Sequence, residues 1–293
     1  MTNFCTTTYG KWILSGEHAV LRHHPAIVFP LGNYTLNFEY TSHGSPLRIL
    51  GDTSNHALIA KVWQLAWQLF QTAAPGGTIS LNSSIPVGQG MGASAALCLA
   101  VARTVCAIAN VTTNIFALAK ALEHNFHHES SGLDIIGSGS KTGNIFHNGT
   151  AAAINLTWQP NWLLTPTSLQ GSTTKAVAKV QKMHQTHPQH AQAIDRQMAR
   201  SVQECLEALE EASLTKLTTG MCLANECFAQ WGLITPLMQT AINNLYARGA
   251  LAVKPTGSGG GGFLLSLWPQ QPAAICAQEI IITLPACKTS HLL

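Results

Sequence analysis

The sequence predicts a globular chain of mixed strands and helices, divided in two near residue 160. Three observations carry this. Short extended runs at Trp12–Leu14, Ala26–Tyr40 and Thr78–Ile85 are interspersed with runs of helical period. Glycine-rich loops lead from one kind of run into the other. Pro160 and Pro166 mark a boundary between residues 1–160 and 161–293, beyond which helical runs dominate.

Composition narrows the class. The chain has 293 residues, 46% hydrophobic and only 10% charged, with a formal net charge of +3. That is the balance of a compact folded protein with a large core, and it excludes disorder. There is no run of Lys and Arg and no basic–aromatic stripe, so no nucleic-acid partner is expected. No stretch of 18 uncharged apolar residues suggests a membrane span, and the first residues, MTNFCTTTYGKW, lack a basic and apolar leader. The eight cysteines form no CxxC pair, and several lie inside apolar runs, so a cytoplasmic protein with reduced thiols is expected.

Along the first part, Trp12-Ile13-Leu14 reads as a strand ending in Ser15-Gly16-Glu17-His18, and Tyr34, Leu36, Phe38 and Tyr40 alternate as on a half-buried strand. Leu58, Val62, Leu65 and Leu69 have helical spacing, broken by Pro75-Gly76-Gly77. Helices follow from Ser94 and over Thr113–Phe126, then a strand at Ala151–Leu156. The second part reads as helices over Thr173–Val180, Gln192–Ala212, Leu214–Ala229 and Pro236–Arg248. A glycine-rich strand, a helix at Gln271–Ala277 and a strand at Ile280–Leu284 follow.

The most informative stretch is Ile85–Ala100, IPVGQGMGASAALCLA. Gly88, Gly90 and Gly92 alternate, and a helical apolar run follows at once. Glycine permits the sharp turns that expose backbone N–H groups, and a helix N-terminus favours negative charge. The loop is either a phosphate site or a tight strand-to-helix turn. It is not a Walker loop, since no Lys follows Gly92, and its GxGxG spacing is not the dinucleotide fingerprint.

Lys11 lies in a strand pattern, either snorkelling to the surface or aimed at a charged partner. Asp134 is one of only three aspartates and stands among Ser130, Ser131, Ser138 and Ser140. Glu123 precedes it by eleven residues. Two carboxylates, one holding a divalent cation and one acting as base, suit phosphoryl transfer, whereas a solvated helix end and a turn aspartate are the plainer reading. His127-His128-Glu129 lacks the HExxH spacing of a zinc site. The Gly257–Gly262 run either lets a ligand or another backbone approach closely, or is a hinge.

In this order, the pieces resemble the GHMP kinase superfamily, and within it the mevalonate kinases. The first motif is GKWILSGEHAV at Gly10–Val20, the second PVGQGMGASAA at Pro86–Ala96, then Glu123 with SGLD at Ser131–Asp134, and finally KPTGSGGGG at Lys254–Gly262. The likeness spans nearly the whole chain. It implies an α+β fold of two domains, a ribosomal protein S5 domain 2-like N-terminal domain and a ferredoxin-like C-terminal domain. It also implies ATP as co-substrate and Mg2+ as cofactor.

Carried over by position, the resemblance implies Asp134 as the catalytic aspartate with Lys11 beside it, and Ser94 and Glu123 as magnesium ligands. ATP would meet Ser83, Pro86, Gly88, Gln89, Gly90, Met91, Gly92, Ala93 and Ser94, and the substrate Glu17, His18, Thr173 and Gly259. The implied reaction is phosphorylation of mevalonate to 5-phosphomevalonate, in the route to isoprenoids, by a cytoplasmic enzyme for which family precedent suggests a homodimer. Phosphomevalonate or another small alcohol as acceptor, or a non-catalytic nucleotide sensor, are the alternatives. A phosphorylated acceptor calls for more basic residues than Arg22, Lys141 and Lys175. Departures are Ala93 for the first serine of the family's pair, Pro255 for its Leu, Ser258 for an Ala, and Thr142-Gly143-Asn144 for its double glycine.

Overall fold

A computed structural model describes residues 3–51, 55–125, 130–156, 158–272 and 278–283. The elements in chain order are β1 (Asn3–Ser15), a 3-10 turn (Ala19–Arg22), β2 (Ala26–Thr41), β3 (Arg48–Leu50), α1 (His56–Leu69), β4 (Thr78–Ser83), α2 (Ala93–Ala109), α3 (Ile115–Glu123) and α4 (Leu133–Gly139). They continue with β5 (Asn144–His147), β6 (Thr150–Ala153), β7 (Asn161–Pro166), α5 (Thr173–Thr186), α6 (Pro188–Glu210), α7 (Leu214–Gln230), α8 (Pro236–Ala247), β8 (Ala252–Thr256), β9 (Phe263–Trp268) and β10 (Ile280–Ile282). They fall into two compact units interleaved in sequence. One comprises Met1–Lys11, Pro30–Val87 and Gly92–Ser140, the other Trp12–Phe29, Gly88–Met91 and Lys141–Leu293.

In the first unit, β4 lies between β2, antiparallel over Leu36–Thr41, and β3, parallel to it. The alternation read from the sequence holds: Leu36, Phe38 and Tyr40 are buried, Asn37 and Glu39 exposed. The rings of Tyr40 and Trp63 pack 4.9 Å apart, seating α1 on this face. α2 is buried on nearly every side, from Ala95 to Cys106, and packs on α1, α3 and α4. Its small residues suit a helix with no solvent face. α3 starts at Ile115, two residues inside the predicted start, after Asn114, whose side chain accepts from Ala117 N.

In the second unit, a four-stranded antiparallel sheet runs β10-β7-β9-β8. Pro160 and Pro166 bracket β7: Pro166 ends it, outside the interior of the ladder. The beginning of β2, Ala26–Val28, pairs with β5, which pairs with β6 through a hairpin with left-handed Asn148 and Gly149. Trp12 stacks on Phe29 at 4.7 Å and meets Trp162 edge-on at 4.9 Å. α5, α6 and α7 enclose a core of Val180, Ile194, Met198, Phe228 and Trp231. The helix expected at 271–277 and the end of the last strand fall largely outside the described residues.

Asp195 anchors the 3-10 turn. Its carboxylate, 3% exposed, takes a bidentate pair of hydrogen bonds from Arg22 at 2.5 and 2.6 Å, with His184 Nε2 at 3.2 Å. Removing one side of a buried ion pair leaves the other uncompensated, so Asp195→Ala should lower unfolding free energy by about 3 kcal/mol. Urea denaturation checks this; a loss below about 1 kcal/mol would mean that solvent already screens the pair.

Candidate active site

In the first unit, β1 ends by carrying Lys11 into the interior, 2% exposed, where its Nζ lies 3.0 Å from Asp134 Oδ2. The lysine is therefore aimed at a charged partner and does not snorkel. Asp134 is the second residue of α4, with a side chain 35% exposed. Two turns of chain position it. Gly132, the helix cap, has φ 91°, and a Cβ there would fall 2.5 Å from Phe116 Cζ. Ser131 Oγ accepts from Leu133 N at 3.1 Å.

Glu123 closes α3 and is 2% exposed. Its carboxylate accepts from Ser130 Oγ at 2.5 Å, and that hydroxyl accepts from Gly132 N at 3.2 Å. Burial, and next the charge of Asp134, push its pKa up to about 7, against the opposing pull of Ser130 and Lys11. Of the serines around Asp134, Ser130 thus orients Glu123 and Ser131 caps the turn. Asp134 and Glu123 bring two carboxyl groups together, with the Lys11 and Lys120 ammoniums acting on Glu123, and paired oxygen donors of this kind suit a hard divalent cation. Ser94 is the second residue of α2, half-buried. Among the described residues no group of three His, Cys, Asp or Glu is placed to hold a metal, and the His127-His128-Glu129 stretch lies outside them.

The loop before α2 turns left-handed three times, at Gly88 (φ 74°), Gly90 (φ 78°) and Gly92 (φ 81°). Gly92 caps α2 with no side-chain acceptor for the first-turn amides. It is also sterically required, because a Cβ would fall 2.7 Å from Lys11 Cγ. Gly88 and Gly90 are exposed, Pro86 and Gln89 half-buried, and Met91 buried. Ser83 ends β4, and its Oγ accepts from Ile85 N at 3.2 Å, a bond within the loop's own start. Ala93 opens α2 with a methyl group.

In the second unit, Glu17 is 3% exposed, and Lys254, at 0%, donates to it at 2.6 Å and to Ile13 O at 3.4 Å. Lys254 was visible in the sequence only as part of a motif; a lysine inside the apolar strand Ala252–Thr256 was the signal. His18 has φ 58°, rare for a residue with a side chain. Its ring lies edge-on to Phe228 and Trp231, and Nε2 donates to Ser258 O at 2.8 Å, which makes Nδ1 the ring's acceptor. Thr173, first residue of α5, donates to Ser258 Oγ at 3.3 Å.

The second glycine run meets another backbone. A Cβ on Gly262 would lie 2.9 Å from Gln89 O, and one on Gly261 2.7 Å from Leu169 O. Gly259 (φ 75°) packs under Phe228, and only Gly260 faces open space within the run.

Burial lowers the pKa of His18 to about 4, so it is neutral at pH 7. A histidine whose folded pKa lies below its ordinary 6.5 favours folding above that value and loses the contribution as pH falls towards 4. The loss amounts to about 3 kcal/mol. Melting curves from pH 7 to 4 should show this acid slope in the natural protein and a flatter one in His18→Asn; equal slopes would contradict it.

No described helix is long and apolar enough to cross a membrane. Residues 58–141 match the family described as GHMP kinases N terminal domain. A protein of Thermococcus sibiricus named mevalonate kinase is 28% identical over 68% of this chain, and the chain covers 62% of that protein, less than two thirds of its length. A mevalonate kinase of Thermococcus gammatolerans is 26% identical over 90% of this chain and 89% of its own. Among solved structures, L. major mevalonate kinase in complex with R-mevalonate superposes with TM-score 0.76 at 22% identity, over 92% of this chain and 88% of that one. The mixed α+β fold expected from the sequence is therefore that of these kinases. The chain is thus similar to mevalonate kinases over most of its length, and residues 58–141 match the GHMP kinases N terminal domain.

Proposed function

We propose that the protein transfers the γ-phosphoryl group of ATP to the primary hydroxyl of mevalonate, giving 5-phosphomevalonate and ADP. The observation that carries this is the buried Lys11 ammonium 3.0 Å from Asp134, beside the buried Glu123. A protein that merely binds nucleotide has no use for a base held by a desolvated lysine. Similarity to proteins named mevalonate kinase over most of the chain supports the choice of acceptor.

In this reading, Asp134 takes the hydroxyl proton as the acceptor oxygen bonds to the γ-phosphorus. The bond from phosphorus to the bridging oxygen breaks, and its electron pair leaves on ADP. Lys11 keeps Asp134 oriented and offsets charge building on the transferred group. The loop from Gly88 to Ser94 and the uncapped α2 amides hold the phosphates, with Ser83 and Pro86 at its entry. Glu123 and Ser94 would hold Mg2+, which supplies charge neutralisation on the phosphates when bound. His18, through Nδ1, Thr173 and Gly259 are the acceptor's candidates. Glu17, whose carboxylate is taken by Lys254, acts by fixing the turn that carries His18.

The acceptor candidates carry no net positive charge: Lys254 is neutralised by Glu17, and His18 is neutral. That suits an unphosphorylated hydroxy acid better than a phosphorylated one. ADP release with Mg-ATP should therefore appear with mevalonate and not with phosphomevalonate, galactose or homoserine. ADP release with phosphomevalonate alone would move the assignment to that sibling reaction, and silence on all four, with ATP bound, would leave a sensor. Asp134→Asn should keep nucleotide affinity while kcat falls by at least about a thousandfold. A rate within about tenfold of the natural protein would remove Asp134 from the chemistry.

A further inference from the structure

Ser138 lies one turn beyond Asp134 on α4, is wholly buried, and its Oγ makes no hydrogen bond. A helical serine ordinarily satisfies itself on the carbonyl four residues back, as Thr104 does on Ala100 O at 2.8 Å. Ser138 does not. Its hydroxyl is turned to the start of α2: a Cβ on Gly92 would lie 3.3 Å from Ser138 Oγ and 3.3 Å from Lys11 Cε. The approach is built in. Gly139, next in the chain, has no room for a side chain, since a Cβ would fall 2.8 Å from Leu99 Cδ2, and its carbonyl accepts from Arg103 at 3.3 Å. α4 is thus drawn against α2 at the height of the helix cap.

That cap is short of donors. Gly92 brings no side chain, Ala93 brings a methyl group, and only Ser94 offers a hydroxyl in the first turn. A buried hydroxyl without a partner carries a desolvation cost that a ligand relieves, and the uncapped amides and Lys11 beside it select an anion. We propose that Ser138 donates its hydroxyl to the terminal phosphoryl group of a nucleoside triphosphate held at the α2 N-terminus, supplying from α4 the hydroxyl that Ala93 lacks. This rests on the kinase reading of the loop and adds to it a phosphate contact from a different helix.

Binding, with no need of turnover, tests it. Titration calorimetry with magnesium and either AMPPNP or ADP would compare the natural protein, Ser138→Ala, Ala93→Ser and the double variant. Ser138→Ala should weaken AMPPNP about tenfold and leave ADP within about twofold, as for one lost hydrogen bond to a charged group. Ala93→Ser should gain less than about twofold where Ser138 is present, and should restore most of the loss where it is absent. Equal weakening of both nucleotides would make Ser138 a packing residue and overturn the proposal. So would unchanged AMPPNP affinity, or a loss that Ala93→Ser does not repair. A natural protein that binds neither nucleotide would overturn the kinase reading and this proposal together, whereas one that binds both without turnover would leave the AMPPNP-to-ADP contrast to decide on Ser138 alone.

Discussion

The buried Lys11 ammonium paired with Asp134, with the Glu123 carboxylate near enough to feel both charges, is the constraint on which the first unit is built. Lys11 is desolvated, Asp134 lies 3.0 Å from it, and Glu123 is held nearby by Ser130. Burial of Lys11 and Glu123 strengthens these interactions and makes the charge on Glu123 expensive to keep. The local backbone follows from that. Gly132 turns left-handed so that α4 can present Asp134, and Gly92 leaves room for the lysine's stem. A side chain at Gly92 would collide with the Lys11 stem, and one at Gly132 with the Phe116 ring.

The second unit handles its buried charge differently. Glu17 and Lys254 neutralise each other completely, and burial keeps His18 uncharged. The result is a charge-balanced frame around a histidine held in a rare backbone conformation, beside the 3-10 turn that the bidentate Arg22–Asp195 pair anchors. Strained backbone of this kind persists only where the surroundings over-determine it. Under the proposed function, the acidic pair of the first unit suits phosphate and metal chemistry, and the balanced charges of the second suit an unphosphorylated acceptor.

Much of this was legible in the sequence, for identifiable reasons. The alternation at Leu36–Tyr40, the long apolar helix after Ser94 and the helical spacings beyond 170 reflect burial, and burial writes periodicity. Lys11 and Asp134 were paired only through the family likeness, since no local pattern links residues so far apart. β7 was hidden because Pro160 and Pro166 read as boundary markers, although a proline at a strand's end costs no ladder bond. The interleaving of the two units was also hidden, because contacts between distant segments leave no mark on composition. Whether Gly257–Gly262 met a ligand or a backbone needed coordinates: Gln89 and Leu169 carbonyls fill the space. The ion pair of Glu17 with Lys254 and the turned-in hydroxyl of Ser138 are likewise products of tertiary packing.

In the proposed reaction, the Lys11–Asp134–Glu123 cluster moves a phosphoryl group onto an alcohol. The most direct measurement is phosphorus NMR of the natural protein incubated with Mg-ATP and mevalonate. A new phosphomonoester resonance growing in step with ADP is the predicted result. Orthophosphate growing in its place, or an ATP spectrum that does not change, would contradict the account.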